Sequence, residues 1–218
     1  MFAPLLDPTN DFAFKKIFGS EQHKEVMLAF LNDVLWEEGR LPICDITFLN
    51  PNHDPASLVN KPSSVDVLCQ DTSGHKYVVE MQVLNQRGFA KRCQYYAAKT
   101  YAQQVIKGTE YEDLKEVILI AICNFNLFSN KKEFISHHIK LDQKTKEHDL
   151  REVSYFFIEL PKFNKCENEL KTHIDKWCYF FKNATKTSTL EIEKMMSDYS
   201  VISYAHKALN QIATNEKD

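Results

Sequence analysis

The sequence predicts a mixed α/β fold, with elements in the order α-β-β-β-α-β and a helical extension after them. Three observations carry that expectation. A patterned helix lies near the N terminus, two alternating strands joined by a tight turn follow it, and a long helix then leads into an unbroken apolar run. Strand, long helix and buried strand make a crossover unit, which implies parallel pairing within a mixed sheet. The expected organisation is one core domain over 1–160 and a helical C-terminal extension over 161–218.

Each element has its own justification. Residues 11–19 form a short aromatic-rich helical turn. Residues 22–38 set Val26, Met27, Phe30, Leu31, Val34 and Leu35 on one helical stripe, with Ser20 as the expected cap and Gly39 as the stop. Ile43–Leu49 is a first strand, closed by Asn50-Pro51-Asn52. Ser64–Cys69 and Tyr77–Val83 follow, with Val65, Val67 and Cys69 on one strand and Tyr77, Val79, Met81 and Val83 on the other as odd-numbered apolar positions. Side chains alternate with period two, so odd residues share one face and even residues the other. Asp71-Thr72-Ser73-Gly74-His75 fits a three-residue loop with Gly74 left-handed. The register that pairs Asp71 with His75 sets Asp66 opposite Glu80. Leu68 and Val78 lie on that even face and call for a covering helix, which residues 89–107 supply. Ala90, Ala97, Ala98 and Ala102 would let that helix approach the sheet closely. Val117–Cys123 is continuously apolar, as in a strand covered on both faces. Beyond it, Glu152–Leu160 reads as a strand. Leu170, Ile174, Trp177 and Phe181 mark a helix, and Ser188-Thr189-Leu190-Glu191 is a capping box opening another. Residues 198–213 close the pattern, with Tyr204, Ala208 and Ile212 repeating at helical spacing.

Asp66 and Glu80 are the chemically informative residues. A carboxylate in an otherwise buried strand is costly unless something pairs with it, and a divalent cation is the most useful partner. Gln82 projects from the same face. The competing explanation is a partly exposed hairpin carrying ordinary surface acids.

Charge and composition narrow the function. The net charge is −3 over 218 residues, but from Met81 to Thr109 there is no Asp or Glu. That window holds Arg87, Lys91, Arg92, Lys99 and Lys107. A basic segment following the acid-bearing strand is where a phosphate backbone would need to lie, with Lys91, Arg92 and Lys99 as nucleic-acid-binding candidates. Without the neighbouring acids it would read as a solvated helix face. The start of the chain lacks the basic and apolar regions of a leader, and no apolar run reaches membrane-spanning length, so no membrane partner is expected. Cysteines 44, 69, 93, 123, 166 and 178 form no C-x-x-C pair and read as free thiols of a cytoplasmic protein. His137 and His138 are adjacent on a strand, so they point to opposite faces and make a poor metal pair.

The chain resembles the Rpn family of recombination-promoting nucleases and transposases, within the PD-(D/E)XK superfamily. The resemblance rests on Asp7-Pro8-Thr9-Asn10-Asp11-Phe12-Ala13-Phe14-Lys15-Lys16-Ile17-Phe18-Gly19, on Phe30-Leu31-Asn32, on Val65-Asp66-Val67 and on Val79-Glu80-Met81-Gln82. Arg92 with Tyr95-Tyr96, and Gln104 with Gly108-Thr109-Glu110-Tyr111, continue it to about residue 160. It implies a restriction-endonuclease-like core and a metal-dependent DNA endonuclease, a hydrolase of phosphodiester bonds associated with mobile elements and recombination. Asp66 and Glu80 then take the place of the metal-binding acids, joined by the Met81 carbonyl, and hold Mg²⁺ or Mn²⁺. Asp66, Glu80 and Gln82 form the catalytic set, with Gln82 where most of the superfamily has lysine. Glutamine orients water without adding charge, so Arg92 or Lys91 are the residues able to supply the missing cation. Asp11 and Glu25 are candidates for an extra acid. A homo-oligomeric state is compatible with this reading. The alternative function is a catalytically weak DNA-binding or interaction protein that keeps the fold as a mobile-element remnant.

Overall fold

A computed structural model describes residues 6–36, 39–53 and 63–215 of the chain. The last two positions of the helix expected over 22–38, and the first five of the stretch read for a leader, lie outside the described residues. The chain divides into two compact units, one formed by 45–159 and the other by 1–44 together with 160–218.

The 45–159 unit is built on a six-stranded mixed sheet in the order β1-β4-β5-β6-β8-β7. Its strands are β1 (Ile46–Phe48), β4 (Val67–Asp71), β5 (Lys76–Gln82), β6 (Val117–Cys123), β7 (Ile135–His138) and β8 (Val153–Glu159). A separate two-stranded ribbon pairs β2 (Asn52–His53) with β3 (Ser63–Ser64). β5, β6 and β8 run parallel, and the other pairs are antiparallel. α3 (Phe89–Ala102) crosses from β5 to β6 and packs on β5, β6 and β8. Its sheet-facing residues are Phe89, Cys93, Ala97 and Thr100, one helical stripe. Of the four alanines expected to approach the sheet, only Ala97 does so; Ala98 and Ala102 are exposed. All seven β6 side chains are buried, which is why that strand is apolar without alternation.

The hairpin register is the expected one. Val67 pairs with Val79, Leu68 with Val78 and Cys69 with Tyr77. Gly74 takes φ +90, and its N–H closes on the Asp71 carbonyl at 3.1 Å. Asp71 organises the turn: its carboxylate accepts from the Ser73 N–H (2.8 Å), the His75 N–H (3.0 Å) and the Tyr77 hydroxyl (2.8 Å).

Two strand starts lie well inside the expected ranges, while the other strand ends agree closely. The strand expected over Ser64–Cys69 begins only at Val67, because the chain bends at Asp66 and Val65 donates its N–H to the Pro51 carbonyl at 3.1 Å. The bend reverses the alternation, so Val65 packs with Leu68 and Val78 under α3, not with Val67 and Cys69. The strand expected from Ile43 begins at Ile46, because the Asn32 side chain clamps both backbone groups of Ile43 (2.7 and 2.9 Å). α3 stops five residues early as well. Gln104 pairs its amide with both backbone groups of Lys115 (2.9 and 3.0 Å), which takes the chain away before Val105-Ile106 can extend the helix.

The other unit is helical: α1 (Asp11–Phe18), α2 (Lys24–Leu35), α4 (His173–Asn183), α5 (Thr189–Met195) and α6 (Ser200–Asn215). Asn10 caps α1 by accepting from Phe12 and Ala13, and Ser188 with Glu191 forms the expected capping box. Ser20 does not cap α2; its hydroxyl donates back to the Lys16 carbonyl at 2.8 Å, and a short 3₁₀ turn precedes the helix. The core is aromatic, with Phe14, Phe18, Phe30, Trp177 and Phe181 in mutual ring contact. Each such pair adds about 0.5–1.5 kcal/mol beyond its buried area. Asp33 accepts from Trp177 Nε1 (2.7 Å) and from the Tyr199 hydroxyl, and faces His173 Nδ1 at 3.0 Å. On α6 the buried apolar face is Ile202, Ala205, Ala208, Leu209 and Ala213; of the expected stripe Ala208 is buried, Ile212 half-buried and Tyr204 turned outward.

Candidate active site

β5 brings Glu80, Met81 and Gln82 to the end of the parallel strands, and the bend before β4 brings Asp66 beside them. The coupling is through backbone. Hydrogen-bonded positions alternate from the Asp71–His75 pair, so the Met81 N–H should meet the residue opposite it, Val65. The bend has removed Val65, and the Asp66 carboxylate accepts that N–H instead, at 2.9 Å. In return the Asp66 N–H donates to Glu80 Oε1 at 3.1 Å. Both carboxylates are thereby fixed against each other's strand. The N–H and carbonyl of one strand residue leave the same edge, so the Met81 carbonyl shares that edge with Asp66.

Glu80 is only 4% exposed. A carboxylate so buried needs a compensating charge, and α3 provides one: Arg92 Nη2 lies 4.0 Å from Glu80 Oε2. The same guanidinium donates to Gln82 Oε1 and, through Nη1, to Gln86 Oε1 at 2.6 Å. It rests 4.9 Å from the Phe89 ring and 5.9 Å from that of Tyr96. Gln82 completes the chain by donating Nε2 to the Leu84 carbonyl at 2.9 Å. Gln82 therefore binds a cation on one side and anchors a turn on the other.

The platform under Arg92 is itself supported. Phe125 meets Phe89 edge to face at 5.8 Å. Phe125 leads into the loop whose Leu127 and Phe128 N–H groups donate to the wholly buried Glu159 at 2.5 and 2.9 Å.

The electrostatics report the acid pair on its neighbours. Burial, then the charge of Glu80, push the Tyr96 phenol above its ordinary value, with Asp66 adding to the effect and Arg92 opposing it. Cys93, beneath Arg92, is pushed up to about 12, first by burial and then by Glu80. Both remain protonated through the neutral range. Tyr96 and Gln86 are site residues to which sequence reasoning assigned no role, although Tyr96 stands in the Arg92 and Tyr95-Tyr96 string of the resemblance. The available signal was helical spacing, since Tyr96 lies four residues beyond Arg92 on the same edge of α3.

Asp66, Glu80, Met81, Gln82 and Arg92 thus converge. Lys91 and Lys99 do not join them. Lys91 is exposed on the side of α3 turned from the sheet. Lys99 lies two turns along from Arg92 on its edge of the helix, with Nζ 5.7 Å from the Tyr95 ring. Asp11 pairs with Lys15 at 2.8 Å, and Glu25 acts on Tyr204, both within the helical unit. His137 stacks on Phe156 at 4.2 Å while His138 sits 5.3 Å from Phe157, on opposite faces of β7.

Among the described residues, no group of three or more His, Cys, Asp or Glu is placed to hold a metal ion. The donors at the acid pair are all hard oxygens: two carboxylates and a backbone carbonyl. That set suits Mg²⁺, which takes one or two carboxylates and fills its octahedron with water and substrate phosphate. No helix among the described residues is long and apolar enough to cross a membrane. A family model described as PD-(D/E)XK nuclease family transposase matches residues 8–218, beyond the 5–160 of the sequence resemblance and through the helical tail. No curated protein and no solved structure matches the chain.

Proposed function

The chain belongs to the PD-(D/E)XK nuclease family transposases, and from that premise we propose that it is a metal-dependent DNA endonuclease of the recombination-promoting type. The observation that carries the reading is the reciprocal backbone capture of Asp66 and Glu80, which sets two carboxylates side by side at the strand ends. Nucleases of this superfamily typically use divalent metals. Asp66, Glu80 and the Met81 carbonyl would hold Mg²⁺ or Mn²⁺, which supplies an activated water and neutralises phosphoryl charge.

The chain's own residues do the remaining work. Arg92 supplies the positive charge that lysine gives elsewhere in the superfamily, and Gln82 and Gln86 hold it in place. Its guanidinium has N–H groups to donate to a phosphate oxygen once substrate approaches Glu80. Tyr96, kept neutral first by burial and then by the charge of Glu80, remains an O–H donor in this cluster. Lys99 extends the positive edge along α3 for the backbone of the bound strand.

One observation favours a second reading, a DNA-binding or interaction protein with weak catalysis: Arg92 already compensates Glu80. A supercoiled-plasmid assay separates the two. The nuclease reading expects nicking with Mg²⁺ or Mn²⁺, none in EDTA, and none from Asp66→Asn in either. Plasmid retention without nicking in all arms would establish the second reading.

A further inference from the structure

Two exposed apolar side-chain groups border residues of the acid-pair cluster, Leu84 beside Gln82 and Tyr95 beside Tyr96, and the core uses neither. In the turn between β5 and α3, Leu84 is 70% exposed and Val83 is 40% exposed. That turn is fixed at both ends, by Gln82 Nε2 on the Leu84 carbonyl at 2.9 Å and by Arg92 Nη1 on Gln86 at 2.6 Å. On α3, between the lines of Lys91 and Lys99, Tyr95 is 46% exposed, its ring 6.1 Å from that of Tyr96 and under the Lys99 ammonium. Both groups lie in the stretch from Met81 to Thr109 that carries five cations and no Asp or Glu.

A strand drawn into that window by its phosphates brings its bases to Leu84 and Tyr95. Stacked, paired bases keep their π-faces covered and present there only their edges, on which the thymine methyl is the sole apolar group. Unstacked bases present π-faces, which an aromatic ring beside a cation receives, and an apolar wedge fills the gap their removal leaves. We propose that the DNA strand held at Asp66 and Glu80 is unstacked, with one base on Tyr95 and Leu84 as the wedge. The ligand is then single-stranded DNA or a locally opened duplex. The proposal rests on the nuclease reading for the strand's path past the acids.

Binding measured by fluorescence anisotropy in EDTA tests this without requiring cleavage. The probes are a labelled single strand of about 16 nucleotides, within the span of known single-strand sites, its fully paired duplex, and the same duplex with a mismatched centre. The single strand and the mismatched duplex should both bind more tightly than the paired duplex. Tyr95→Ala and Leu84→Ser should each lose about tenfold on those two probes, the order expected for one lost stacking contact, with little change on the paired duplex. Tyr95→Phe should retain binding, and Leu190→Ser, at an exposed leucine of the helical unit, should change nothing. Tight binding of the single strand alone would assign the site to free strands; tight binding of both would assign it to opened duplexes as well. Equal affinity for paired and unpaired probes, or Tyr95→Ala and Leu84→Ser variants indistinguishable from wild type, would overturn the proposal. Metal-dependent plasmid nicking alongside that result leaves the nuclease reading standing. A preference for unpaired strands that Tyr95→Ala and Leu84→Ser abolish, without any nicking, defeats the nuclease reading and keeps the unstacked-strand site as that of a binding protein.

Discussion

At Asp66 the side chain performs two tasks that substitution can separate. Its carboxylate is a candidate metal ligand, and it also accepts the Met81 N–H that the bend has deprived of a strand partner. Asp66→Asn keeps an acceptor for that N–H, so it should abolish cleavage and leave the unfolding midpoint in urea unchanged or slightly raised, as two crowded acids become one. Asp66→Ala should abolish cleavage and also cost about 1–3 kcal/mol, the price of a buried donor left without a partner. Equal destabilisation by both would mean that the charge itself is structural. Gln82 and Arg92 invite a second comparison. Gln82→Lys alone sets an ammonium against the guanidinium and should lower the cleavage rate, whereas the double variant Gln82→Lys with Arg92→Gln should recover it. A double variant no better than either single one would separate the two residues functionally. Asp66, Glu80 and Gln82 were legible in the sequence because acids in apolar strands are conspicuous. The Asp66 bend was not, since period-two alternation continues through Val65 as though the strand did. Nor was the Arg92 clamp, because residue spacing places a helix edge without saying which glutamines reach it.

The hairpin that carries the acids depends on Asp71 at its tip. Burial alone would raise this carboxyl, but hydrogen bonds from His75 and Tyr77 outweigh it and hold the group below the usual carboxylate range. The unfolded chain therefore binds a proton at a higher pH than the folded one. The contribution of Asp71 is complete above about pH 4, the ordinary aspartate range, and is lost as the pH falls toward the depressed folded value. Asp71→Asn should lower stability at pH 7, and the gap from wild type should shrink on acidification below that range, as read by thermal unfolding at each pH. A gap constant with pH would assign the Asp71 effect to shape alone. Tyr77→Phe should reproduce part of the loss, because it removes one of the stabilising donors. At this scale the sequence was a good guide where pattern and tertiary contact agree. The hairpin register, β6, the α5 capping box and the opposed faces of His137 and His138 all follow from local rules. Boundaries moved where a side chain intercepted the backbone, as Asn32 does at Ile43 and Gln104 at Lys115. No periodicity reports such captures.

Over the whole molecule a net charge of −3 coexists with an acid-free stretch along α3. DNA affinity should therefore fall steeply with salt despite the overall sign, since counterion release depends on local contacts. Lys99→Ala should reduce the salt slope by about 1 and weaken binding to every sequence alike, as expected for a lost phosphate contact. Lys91→Ala should do less, because Lys91 faces away from the sheet and from the edge that bears Arg92. Equal losses in the two variants would move the DNA path onto the outer face of α3. The mixed fold was evident from element order, but the grouping of the N-terminal helices with the C-terminal ones was not. Hydrophobic pattern identifies which helices have an apolar face and is silent on which helix meets it.

The helical unit is assembled from two stretches of chain with all of 45–159 between them. On the ribosome α1 and α2 emerge first, and Phe14, Phe18 and Phe30 must wait for Trp177 and Phe181 to be made. At roughly 5–20 residues per second that delay is on the order of ten seconds. Throughout it a nascent chain shows three phenylalanines to holding chaperones, and overexpression that outruns those chaperones should leave the protein in inclusion bodies.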